Sequence, residues 1–78
     1  MENLFKINLN EFFEWLNEEL GAWDGGFNLE NMFGKDYDEI DETDLKDFNI
    51  KQYLMDQEID VIHSEKWDLI LTKINQIQ

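Results

Sequence analysis

Leu9-Asn10-Glu11-Phe12-Phe13-Glu14-Trp15-Leu16-Asn17-Glu18-Glu19-Leu20 is the stretch that decides the fold class. Its apolar residues, Leu9, Phe12, Phe13, Leu16 and Leu20, recur at i, i+3, i+4, i+7 and i+11, which places them on one face of an amphipathic helix. Asn8 is positioned to cap the first turn, with Glu11 answering it as in a capping box, and Gly21 suits the position just past the end. Glu11, Glu14 and Glu18 project from the opposite face, and Trp15 lies on the flank.

Working outward toward the C-terminus, residues 21–27 read as a turn, because Asp24-Gly25 and Gly25-Gly26 tolerate positive φ and suit a tight reversal or short hairpin. Asn28 caps a short helical stretch through Leu29, Met32 and Phe33, and Gly34 stops it. From residue 35 to 47 the composition shifts. Asp36, Asp38, Glu39, Asp41, Glu42, Asp44 and Asp47 face only Lys35 and Lys46 in the same stretch. Tyr37, Ile40, Leu45 and Phe48 interrupt the acids, so the segment is expected to lie against a core, with Thr43 or Asp44 opening a further helical turn.

The last third divides at residues 58–63. Asn49 caps a helix containing Ile50, Tyr53 and Leu54, and Ser64 caps a final helix whose stripe is Trp67, Ile70, Leu71, Ile74 and Ile77. Between them, Ile59 and Val61 alternate around Asp60, a pattern a short strand would also show, with residues 5–7 as its partner. The expected fold is therefore mainly α: a small helical bundle of three to four helices with an acidic connecting segment. The alternative is α+β with a two- or three-stranded sheet.

Composition bounds what such a fold can do. The chain has 78 residues and a mass of 9.4 kDa, with 19 Asp+Glu against six Lys+Arg, all of them lysine, for a formal net charge of -13. That length suits a single acidic globular domain over residues 1–78. Hydrophobic residues at 42% and aromatics at 14% are enough to build a core, which argues against disorder despite the charge. The absence of cysteine excludes a disulfide framework, a thiolate nucleophile and a Cys-ligated zinc. Few cations make direct nucleic-acid binding unfavourable. Met1-Glu2-Asn3 carries neither a basic region nor a long apolar run, so neither secretion nor membrane spanning is expected and the protein reads as cytoplasmic.

No motif for chemistry emerges. With Asp36 as position 1 of an EF-hand loop, acids fall at positions 1, 3, 7, 9 and 12, but Ile40 and Asp41 occupy the places that need an oxygen ligand and a glycine. Asp47 at the last position is too short for the usual bidentate glutamate. His63, the sole imidazole, adjoins Ser64 and follows Asp60 by three residues, but Ser64 is better used as a helix cap than as a nucleophile. No phosphate-cradling glycine motif and no multi-histidine metal set is present, so neither enzymatic activity nor a metal or cofactor is expected.

The charge pattern is the remaining lead. Duplex DNA presents about one phosphate per 1.7 Å of axis, and helical carboxylates at i, i+3 and i+7 offer negative charge about 5–6 Å apart. Glu11, Glu14 and Glu18 form one such row, and the acids at 36, 38, 39, 41, 42, 44 and 47 are candidates for a second. Charged helix surfaces are ordinary; what solubility leaves unexplained is the one-sidedness, since mixed charge serves it as well. Trp15, off its helix's apolar face, and Trp23 with the adjoining Asp24 in the glycine-rich turn are candidate contact residues, whereas Trp67 belongs to a stripe and reads as core.

In size, acidity and lack of catalytic machinery the chain resembles the small inhibitors that phages and mobile elements deploy against host defence, among them anti-CRISPR and antirestriction proteins, many of which mimic DNA. The likeness is one of overall character and carries no site positions across. It implies a non-enzymatic inhibitor that occupies the basic groove of a CRISPR effector or restriction enzyme in a bacterial host cell; the apolar stripe of the last helix leaves a monomer or a weak homodimer open. An immunity protein, antitoxin or acidic adaptor is the alternative, with aromatic anchors rather than charge carrying the affinity.

Overall fold

The computed structural model describes residues 4–21 and 26–78. They form a mainly α protein: α1 (Leu4–Leu20), α2 (Leu29–Phe33), a 3-10 turn (Tyr37–Glu39), α3 (Glu42–Leu45), α4 (Ile50–Gln57), α5 (Ile59–Ile62) and α6 (Trp67–Ile77). No strand occurs among the described residues. The sheet alternative therefore falls: residues 5–7 belong to α1, and Ile59, Asp60 and Val61 to the single turn of α5. No helix among them is long and apolar enough to cross a membrane.

The chain divides into two compact units, Met1–Asp47 and Phe48–Gln78. In the first, α1 buries Leu9, Phe12, Phe13 and Leu16, the residues that the spacing put on one face, with Leu20 half-buried at its end. Gly21 terminates the helix at φ 68. The start differs from expectation. Asn8 does not cap α1 but lies within it, four residues past Leu4. The apolar stripe extends backward through half-buried Phe5, and Lys6 finds distant partners, so packing gains outweigh the roughly 1 kcal/mol of a local cap.

Asn28 caps α2 as expected, its side chain accepting from the Asn31 N–H at 2.8 Å. Gly34, at φ 66, closes α2 with its own N–H on the Glu30 carbonyl. The acidic segment then rests on buried Ile40 and Leu45. Its second helical turn is capped two to three residues earlier than expected. Asp41, rather than Thr43 or Asp44, is the cap: its Oδ1 accepts from the Thr43 and Asp44 N–H groups, and the Asp44 carboxylate accepts from the Asp41 N–H at 3.1 Å. This reciprocal box satisfies backbone donors at both ends of the turn, which a start at Thr43 or Asp44 would leave open.

In the second unit, α4 packs on α5 and α6. Ile50, Leu54, Val61, Ile70 and Ile74 are its buried residues. Asn49 caps α4 through the Gln52 N–H at 2.9 Å. Ser64 does not cap α6. Its hydroxyl donates back to the Val61 carbonyl at 2.7 Å, closing the end of α5, and Lys66 stands at the α6 N-cap position without a side-chain cap. The backward bond satisfies a carbonyl at the end of α5, so the hydroxyl is used before α6 begins. Trp67, expected in the core, is half-buried at the first position of α6.

Candidate partner-binding surface

The acids are distributed unequally between the units. Met1–Asp47 carries 14 of the 19 acids against three lysines, a net -11, whereas Phe48–Gln78 carries five against three, a net -2. Any long-range attraction of the chain for a cation is therefore centred on the first unit.

Within that unit α1 displays Glu11, Glu14 and Glu18, all exposed, on the side away from Leu9, Phe12, Phe13 and Leu16. This arrangement is unfavourable for the helix itself. Glu14 stands at i+3 from Glu11, and Glu18 at i+4 from Glu14, where like charges cost about 0.2–0.5 kcal/mol per pair. Glu18 and Glu19 also fill the last turn, which has no basic residue, and negative charge at a helix C-terminus costs about 0.3–1 kcal/mol. Helix stability therefore gives no reason for these acids. Asn10 Nδ2 donates to Glu14 Oε1 at 3.4 Å, and Trp15 is half-buried with its ring 5.8 Å from that of core Phe12. Trp15 is thus partly committed to packing.

The 36–47 segment does not form a second regular row. The 3-10 turn, the buried Ile40 and the four-residue α3 break it, so its carboxylates do not follow helical spacing. Asp36, Asp38, Glu39, Asp41, Glu42 and Asp47 are exposed, and Asp44 is half-buried. Two acids have local duties: Asp41 and Asp44 make the capping box, and Asp44 also accepts from Lys35 Nζ at 2.7 and 2.9 Å. The bond from Lys35, followed by that from the Asp41 N–H, lowers the Asp44 carboxyl below its ordinary range, and the same pairing raises Lys35. Trp23 and Asp24 lie outside the described residues.

Lys6 was not singled out by the sequence pattern. Its Nζ donates to the Ile40 carbonyl at 2.8 Å and sits 4.2 Å from the centroid of the Tyr37 ring. At about 100° per residue Lys6 falls beside the buried stripe of α1 and away from the glutamate row. No local signal announces a contact across 34 residues. The Asp41 box, by contrast, was readable as Asp-x-x-Asp.

His63 is exposed at the end of α5, and Ser64 is bonded to Val61. Among the described residues no group of three or more His, Cys, Asp or Glu side chains is arranged to hold a metal ion.

No protein-family model, curated protein or solved structure matches this chain.

Proposed function

We propose that this protein is a non-enzymatic inhibitor that occupies the basic nucleic-acid groove of a DNA- or RNA-handling defence protein, a CRISPR effector or restriction enzyme, in the manner of a DNA mimic. The observation that carries the reading is the exposed Glu11–Glu14–Glu18 row on α1, set against the helix's own electrostatic preference in a unit of net charge -11. Exposed acids from 36 to 47 extend the negative field, which would steer association with a cationic cleft, and in this reading the α1 row stands in for phosphates.

The test is competition. A basic nucleic-acid-binding protein captured by this chain from nuclease-treated bacterial lysate should be released by duplex DNA or RNA, and its nucleic-acid chemistry should be inhibited by the chain. The variant E11Q/E14Q/E18Q/E39Q should lose inhibition by about tenfold or more while remaining folded. Undiminished inhibition by that variant would end the mimic reading. Capture that tolerates saturating nucleic acid would point instead to an adaptor or immunity protein.

A further inference from the structure

We propose that Lys6 is the positioning residue of the acidic surface: an internal cation, itself outside the partner contact, that latches the 36–47 segment to α1 and so holds its carboxylates in one arrangement. The consequence for binding rests on the function proposed above; the latch itself does not.

Seven acids in twelve residues repel one another, and the segment's helical pieces, three and four residues long, are far too short to persist alone. The Asp41–Asp44 box and the Lys35–Asp44 pair are contacts within the neighbourhood of the segment, so they shape its turns without fixing it to the rest of the unit. Buried Ile40 and Leu45 supply nondirectional burial. Lys6 adds direction. It reaches from the first turns of α1 to the carbonyl of Ile40, a residue only 2% exposed, and lays its charge against Tyr37, so one ammonium grips both ends of one turn. A charged donor on a part-buried carbonyl and a cation over an aromatic face are both stronger than their exposed, neutral counterparts.

The experiment separates a latch from a mere charge. Lys6→Met makes the protein one unit more negative, so if net charge alone governs attraction, binding to a cationic partner rises. If Lys6 is the latch, binding falls. Full-length parent, Lys6→Met and Lys6→Arg are compared by amide hydrogen exchange and by association with cytochrome c, a rigid basic probe, at low ionic strength. Exchange across residues 36–47 is expected to accelerate about tenfold or more in Lys6→Met, while residues 12–16 of α1 keep their protection and Lys6→Arg behaves as parent. Association of Lys6→Met with the probe is expected to weaken several-fold.

Parental protection of 36–47 in Lys6→Met overturns the latch. So does equal loss of protection in 36–47 and 12–16, which would make Lys6 a contributor to global stability only. Faster exchange accompanied by tighter probe binding overturns the positioning role. A parent that ignores the probe counts against the mimic reading, while the exchange data still decide the latch.

Discussion

The Asn17 side chain holds both backbone groups of Phe27: its Nδ2 donates to the Phe27 carbonyl at 2.8 Å, and the Phe27 N–H donates to its Oδ1 at 3.0 Å. An amide side chain on α1 thereby behaves as a strip of backbone, and it secures the chain ten residues on, where the Phe27 ring stacks near that of Phe13 at 6.3 Å. Asn17→Asp keeps the acceptor but turns a carboxylate oxygen toward the Phe27 carbonyl. It is expected to cost about 1–3 kcal/mol, and Asn17→Ala a similar amount, since the first leaves the part-buried Phe27 carbonyl facing a carboxylate and the second leaves both backbone groups open. Urea unfolding checks this; an unchanged midpoint for Asn17→Asp would mean that the pair adds nothing.

The glutamates of α1 lead to the opposite sign. Glu18→Gln relieves both the repulsion from Glu14 and the charge at the helix C-terminus, and it is expected to stabilise by about 0.5–1 kcal/mol at low salt. The gain should shrink as salt screens the charges. Thermal midpoints at two ionic strengths measure it. A loss of stability would show that these acids serve the helix after all.

The pairing of Lys35 with Asp44 makes stability depend on pH at both extremes. Asp44 is lowered from its ordinary 3.8, chiefly by the Lys35 hydrogen bond, so its contribution is complete above about pH 4 and disappears as pH falls through its native value. Lys35 is raised from 10.5, chiefly by the same bond, so its contribution is complete below about pH 10 and is lost as pH rises through its native value. Asp44→Asn should therefore lie below the parent at neutral pH, converge on it at strongly acidic pH, and approach it only in part at strongly alkaline pH, where the Asp44 carboxylate still accepts from the Asp41 N–H. Thermal midpoints of the two proteins across the range provide the measurement, and a pH-independent gap would contradict the assignment.

In the second unit the Gln78 amide bridges the backbone at the start of α4. Its Oε1 accepts from the Ile50 N–H at 2.8 Å, and its Nε2 donates to the Phe48 carbonyl at 2.6 Å. Gln78→Ala is expected to destabilise this unit by about 1–2 kcal/mol. Gln78→Glu, which loses the donor, should recover only part of that. Amide exchange at Ile50 follows the effect directly, and protection unchanged by Gln78→Ala would remove the bridge from the account.

Much of the helical layout was legible because its causes are local. Asn28 and Asn49 offered an oxygen to the donors of the next turn, and Gly21 and Gly34 offered positive φ where α1 and α2 end. The misread boundaries share a different character. Asn8 and Ser64 had the chemistry of caps, but Asn8 was absorbed by a stripe running on into Phe5, and Ser64 turned back to a carbonyl three residues earlier. Cap residues advertise a possible helix start; which start is used depends on what else the flanking residues can bury or bond.

The candidate surface divides along the same line. Periodicity alone set Glu11, Glu14 and Glu18 opposite the apolar residues of α1, because 3.6 residues per turn leaves no other place for them once Leu9, Phe12, Phe13 and Leu16 face inward. The 36–47 segment has no such period, so its shape was left to contacts distant in sequence: Ile40 and Leu45 finding burial, and Lys6 finding the Ile40 carbonyl and the Tyr37 ring 34 and 31 positions away. Linear order, acting through helical geometry and neighbouring hydrogen bonds, determined which side chains share a face. Only the folded chain decided which lysine would hold the acids in place, because a bond between remote residues forms only after the intervening chain has been brought round at an entropic cost that packing must offset.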